Sequence, residues 1–161
     1  MSLTARNLAA AASVGTVMTV LDPDTRVPMK DAKGQDLTIT LLGRDSEVVV
    51  AKQREQRNLM VGEMTKKVPY SAAAQDYREA EILVVATTGW SGIPKGWLRP
   101  ITQEELDALG PDGVAELDEE APFSAENALA LYTNHGVNWL HEQVSEHFDD
   151  RGNVLKALKK A

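Results

Sequence analysis

The clearest pattern of apolar and polar positions runs from Pro122 to Phe148. Ala128, Leu131, Tyr132 and His135 recur at three- and four-residue spacing, which places them on one face of a helix. Val137, Leu140, Val144 and Phe148 form a second stripe that continues through Leu155 and Leu158. Ser124 has the chemistry to cap the first helix at about Ala125, Phe123 sits where a hydrophobic staple packs, and Gly136 is placed to take a positive φ at its end. The spacing predicts an αα-hairpin across a tight turn.

Elsewhere the period changes. Val14 to Leu21 and Asp36 to Leu42 alternate in the manner of strands, with Leu37, Ile39 and Leu41 on one face and Thr38, Thr40 and Leu42 on the other. Residues 14–42 therefore read as a β-hairpin or a three-stranded meander, whose polar loop over 22–35 is either a mobile tip or a docking arm. Gly43 closes this segment. Asp45 or Ser46 is placed to cap a long helix to about Lys66, polar on nearly every face at 52–58, which reads as solvated or subunit-bridging. Ser71 is placed to cap the next helix, which becomes wholly apolar over 82–86 and stops at Gly89. A loop containing Trp90 and Trp97 follows, then a short helix over 103–109 capped by Thr102, then an acidic surface linker over 111–121. Residues 1–13 are alanine-rich and too short to be stable as a helix without a partner. The fold class is α+β: an N-terminal β-hairpin or small antiparallel sheet over 14–42, then a mainly helical body over 44–161 ending in the αα-hairpin, in a single domain of 161 residues.

Charge narrows the possible partners. The net charge is −7, but residues 1–70 sum to +2 (10 Lys and Arg, 8 Asp and Glu) and residues 71–161 to −9 (7 against 16). Such a balance disfavours nucleic acid, which demands a surplus of cations on the contacting face. The window 52–67 carries five cations and two carboxylates, yet has no interleaved aromatic to stack on a base. With no cysteine there is no disulfide framework and no thiol chemistry. No apolar run reaches the ~18–20 residues that span a bilayer, and the opening residues lack the pattern of a secretory signal.

Candidate chemistry is sparse. His135, His141 and His147 are six residues apart, so on a continuous helix they diverge by about 120° and do not converge on a metal. Glu142 and Glu146 read as a solvated face. Glycines 89, 92 and 96 do not match a phosphate-binding loop, because no Lys-Ser/Thr pair follows and no strand is expected before them. Nothing points to catalysis, a cofactor or a metal. The aromatic residues of the second half either build the core or, with Trp139 foremost, edge a groove for an amphipathic helix. Trp139 lies off the Val137/Leu140/Val144 stripe, so Trp139, Trp90, Trp97 and Phe148 are the candidate partner-binding residues.

The order of Trp90, the acidic run 116–120, Pro122-Phe123-Ser124, Leu131-Tyr132 and Asp149-Asp150-Arg151 resembles the C-terminal part of the tail assembly chaperones of long-tailed bacteriophages. The resemblance covers about residues 90–151. Opposite charge on the basic 52–67 helix and the acidic C-terminal part makes self-association between copies an expectation. The resemblance implies a non-enzymatic factor in the host cytoplasm that binds the long helical tape measure protein and helps tail tube protein polymerise around it. It also implies that the closing Lys159-Lys160 pair can mark a site of translational frameshifting. A permanent virion protein of the tail tube or head–tail junction, pairing through a protruding β-hairpin, is the competing expectation.

Overall fold

The computed structural model describes the backbone of residues 8–160 and side chains through Lys156. Its elements are α1 (Leu8–Ala12), β1 (Thr16–Thr19), β2 (Thr38–Leu41), α2 (Glu47–Thr65), α3 (Ala72–Ala86), β3 (Thr87–Ser91), α4 (Gln103–Ala108), α5 (Pro111–Asp118), α6 (Ala125–Thr133), α7 (Asn138–Asp149) and α8 (Arg151–Lys160). The fold is α+β, with a three-stranded antiparallel sheet ordered β1-β2-β3 and a mainly helical body. The expected helix over residues 1–13 falls partly outside the described residues. Ala11 and Ala12 of α1 pack with Val154 of α8, which supplies the partner so short a helix needs.

Alternation in the first two strands sorts their side chains as expected. Met18, Val20, Leu37, Ile39 and Leu41 face a core shared with α3, α6 and α7, while Val17 is exposed. The third strand of the sheet lies outside 14–42, and begins in a stretch expected to be helical. Instead of a meander within 14–42, or a helix running to Gly89, the chain passes from α3 directly into β3 at Ala86–Thr87. β-Branched Thr87 and Thr88 suit extended backbone. Their pairing with β2 contains a bulge: Leu41 opposes Thr87 and Thr40 opposes Gly89, leaving Thr88 as the extra residue. A strand does therefore precede the glycines at 92 and 96. Gly92 takes φ +83 with the Leu37 side chain 3.1 Å from where a Cβ would stand.

The loop over 22–35 is exposed over most of its length and is ordered by hydrogen bonds of its own. Asp22 Oδ1 accepts from the amides of Asp24 and Thr25, Asp31 Oδ1 accepts from those of Lys33 and Gln35, and Met29 is held between Val20 and Leu37 by backbone hydrogen bonds. Two Asx-type turns thus fix its two tips, inside the isolated bridges Leu21–Pro28 and Lys30–Asp36. The acidic segment 111–121 likewise contains a helix rather than a linker alone. Pro111 stands in the first turn of α5 with Asp112 beside it, both favourable at a helix start, and Val114 and Leu117 share one face.

The terminal helices form as their stripes predict, with different ends. Ser124 Oγ accepts from the Asn127 amide at 3.0 Å, and Ala128, Leu131 and Tyr132 are buried. Phe123 packs edge-on against Trp90, with centroids 5.1 Å apart. α6 stops at Thr133, so His135 leaves the stripe and is exposed in a 3-10 turn, His135–Val137. Gly136 is not in a positive-φ conformation; the turn is fixed by Asn134, whose Oδ1 accepts from the Gly136 amide at 3.0 Å. The second stripe buries Leu140, Val144 and Phe148, but the helix breaks at Asp150 (φ −83°, ψ 96°) and α8 starts anew. Arg151 there donates twice to Asp45, at 2.6 and 2.9 Å, which holds the Asp45 carboxyl below its usual range. Gly43 lies beneath this junction. A Cβ on it would meet Val154 at 2.7 Å and Ala12 at 2.8 Å, so α1, α8 and the chain after β2 can close only over glycine.

Asp45 is thus spent on Arg151. Ser46 precedes α2 without capping it: its Oγ makes no cap bond and is buried with no hydrogen-bond partner. The Thr87 hydroxyl donates to the Leu83 carbonyl at 2.7 Å, so the Tyr132 hydroxyl 2.7 Å from it must be the donor of their shared bond. Burial pushes the Tyr132 phenol far above its usual pKa.

Two expected outcomes follow from these bonds. Thr87→Val strands the Tyr132 hydroxyl in the core and should cost about 1–3 kcal/mol, whereas Tyr132→Phe leaves Thr87 bonded to Leu83 and should cost about 0.5–1.5 kcal/mol. Equal losses in denaturant titration would contradict this donor assignment. Ser46→Ala has no cap bond to lose, so its denaturation midpoint should match or exceed that of the parent rather than fall by the ~1 kcal/mol usual for a cap.

Candidate functional site

Three of the concave surfaces among the described residues flank the helical body. One, of about 550 Å³, lies between α2, α3 and α7, with Met60, Ile82, Leu83 and Phe148 among its lining residues. A second, of about 270 Å³, is lined by residues including Tyr77, His135 and His141. The third, of about 350 Å³, is bounded by the 3-10 turn Lys95–Leu98, α4, α5 and the start of α7.

The third groove brings two of the candidate aromatics together. Trp97 and Trp139 meet edge to face with centroids 5.3 Å apart, and both are half-buried. Such a T-shaped pair places the electropositive edge of one ring on the face of the other and holds both rigid. The pair is anchored from behind, where the buried Asn134 donates through Nδ2 to the Trp97 carbonyl at 2.9 Å. Leu106 (38% exposed) and Val114 (39%) form the opposite wall and Leu117 lies deeper. α4 starts at Thr102, whose Oγ1 accepts from the Glu105 amide at 3.2 Å; the Glu105 carboxyl pairs with Arg99, which together with the Thr102 backbone amide holds it below its usual range. The lining is mostly apolar, with Arg99 and Asp118 as its two charged residues, and the segment that supplies α4 and α5 is acidic. Residues 102–120 hold eight carboxylates and no Lys or Arg.

The other two candidates lie elsewhere. Trp90 packs on Phe123 and donates through Nε1 to the Ala121 carbonyl at 2.7 Å, which fastens β3 to the chain entering α6. Phe148 is 7% exposed and belongs to the core, with an edge in the cleft beside α2. Sequence reasoning missed the exposed apolar residues of α2 and the segment after it: Leu59 (59%), Val61 (62%), Met64 (74%) and Tyr70 (80%). A helical wheel drawn through 57–68 collects Met60, Val61 and Met64 on one side, but the polar run at 52–58 dominates the impression of the whole helix.

Among the described residues no group of three or more His, Asp or Glu side chains is placed to hold a metal. His135 and His141 line one cleft. His147 sits apart at the α7–α8 break, with Nε2 2.9 Å from Thr16 Oγ1 and Nδ1 3.2 Å from Asn153 Nδ2. The Asn153 amide can only donate, so Nδ1 accepts and Nε2 carries the proton. Four residues earlier, Gln143 bonds both the amide and the carbonyl of Leu21, at 3.0 and 2.8 Å. One turn of α7 thus occupies the outer edge of the first strand segment.

No described helix is long and apolar enough to cross a membrane. Compared with family models, curated proteins and solved structures, the chain matches none of them.

Burial holds the His147 pKa below its ordinary 6.5, partly offset by Asp150. The unfolded chain therefore takes up this proton first, and the stability that neutral His147 contributes is present above pH 6.5 and lost as pH falls below it. His147→Gln should flatten the fall in melting temperature between about pH 7.5 and about pH 5.5 relative to the parent. An unchanged slope would mean that His147 does not titrate against the fold.

Proposed function

We propose that this protein is a non-enzymatic tail assembly factor of a long-tailed bacteriophage, which binds tape measure protein, tail tube protein or both during tail morphogenesis. The observation that carries the binding role is the groove at Trp97 and Trp139. Two half-buried indoles stand at its base, apolar side chains line its wall, and the acidic helices α4 and α5 border it, with Asp118 in its lining beside Arg99. Tryptophan pairs in partly desolvated pockets are the usual anchors of protein interfaces. A groove of this shape takes an amphipathic helix whose apolar face enters and whose Lys or Arg residues flank that face. Long helical chains expose such faces before assembly and aggregate unless they are covered. The order of motifs from Trp90 to Arg151 supplies the phage context.

The competing role, a permanent virion protein adding its hairpin to a neighbour's sheet, has less support. Gln143 occupies both hydrogen-bonding groups of Leu21, and the 22–35 loop satisfies its own backbone in two tight turns. Strand addition at that edge would have to displace the clamp.

If a gene for a long helical tape measure protein lies next to this one, co-expression of the two should raise that protein's soluble yield and allow the two to be purified together. Trp139→Ala should weaken the complex by more than about 1 kcal/mol, measured by calorimetric titration, while the variant still melts cooperatively. Unchanged affinity would remove the groove from the binding role. Abundant protein in mature particles with no effect on tape measure solubility would favour the virion role instead.

A further inference from the structure

The long helix α2 is under-covered for its length. Val49 is its one buried residue, while Met60, Val61 and Met64, at 36, 62 and 74% exposure, form a stripe with Arg54 and Arg57 beside it. The charges there are unbalanced as well. Lys52 is paired with Glu55 and Glu81, and Glu63 with Arg78, so among the described residues Arg54, Arg57, Lys66 and Lys67 have no ion-pair partner. This apolar, basic stripe is the complement of the groove at Trp97 and Trp139. Of the eight carboxylates over 102–120, Glu105 and Glu119 are paired with Arg99 and Lys95, Glu120 accepts from the Gly92 amide, and among the described residues Glu104, Asp107, Asp112, Glu116 and Asp118 have no ion-pair partner; of these Asp118 lines the groove itself, beside the paired Arg99.

The stripe cannot reach the groove of its own chain. Gln56 donates to the Arg78 carbonyl at 2.9 Å, Arg78 pairs with Glu63 at 2.6 Å and Lys52 with Glu81 at 3.3 Å, which lashes α2 to α3. Met60 lines the cleft at the Phe148 end of α7, whereas the groove includes Trp139 at the opposite end. Nine residues of helix separate those ends, about 13 Å along its axis.

We infer that the α2 stripe of one copy seats in the Trp97–Trp139 groove of a second copy, with Met60, Val61 and Met64 entering and Arg54 and Arg57 facing its carboxylates. This rests on the reading of the groove as a helix receptor and adds what fills it when no partner is present. Stripe and groove are different surfaces, so the contact is heterologous, and each copy can give one and receive another. A partner helix must displace the neighbour's α2 to enter.

The test uses the purified full chain, without tape measure protein, in sedimentation equilibrium over a range of concentration and salt. Met64→Glu removes the stripe; the pair Glu116→Lys and Asp118→Lys reverses the charge of α5 at the groove. All three side chains are exposed, and a circular-dichroism melt checks that each variant folds. The parent should associate, less tightly as salt rises, and each variant should raise the dissociation constant by about tenfold or more. Mixing the two variants should restore one parent-like contact and yield a 1:1 complex that grows no further, since the first supplies the intact groove and the second the intact stripe. A parent monomeric at every concentration, association unaffected by either variant, or no complex on mixing would each overturn the inference. Tape measure binding with none of this association would sink the inference and spare the proposed function; the reverse pattern would sink the proposed function and spare the stripe-in-groove contact.

Discussion

The passage from α3 into β3 without an intervening loop is the constraint on which the rest of the molecule depends. Ala86 ends the helix, Thr87 begins the strand, and the Thr87 hydroxyl is bonded to Leu83 behind it and to Tyr132 of α6 beside it. With no slack at this point, the direction of β3 along the edge of β2 sets the direction in which α3 leaves the sheet. The bulge at Thr88 absorbs the mismatch between a helical exit and the strand register. α6 and α7 then close over Ala80, Ile82, Leu83 and Ala86, which gives one core instead of a β lobe beside a helical lobe.

One consequence appears at the other end of α3. Its C-terminal half is committed to the core, so its N-terminal half and the α2 helix lashed to it extend beyond the area that α6 and α7 can cover. Ion pairs and a glutamine hold the two helices together there, while Met64 and Tyr70 stay in solvent. A surface of this kind is costly for a monomer to carry and useful for one that binds protein.

α7 serves two faces at once. Leu140, Val144 and Phe148 fill the core, and on the adjoining side Gln143 and His147 meet the first strand segment at Leu21 and Thr16. At Leu21, backbone groups that would otherwise be open to another chain are occupied by a side chain of the same chain. The contact at Trp139 is then left to the helix's first turn, where the groove begins.

Local patterns determined a good deal of this protein from sequence alone. Stripes at three- and four-residue spacing gave the terminal helices, alternation gave β1 and β2, and hydroxyl residues ahead of apolar runs gave the caps at Ser71, Thr102 and Ser124, because each depends on neighbours within a turn or two of chain. Tertiary structure decided what depends on distant partners. β3 exists as a strand because β2 offers it an edge, and Asp45 is turned from a possible cap to an ion pair by Arg151, 106 residues away. Gly136 is spared a left-handed turn because Asn134 fixes the bend. The same holds for the candidate site. The aromatic residues were visible one by one, but only the packing of α5 and the 95–98 turn around the start of α7 brings Trp97 to Trp139 and leaves Trp90 and Phe148 to the frame.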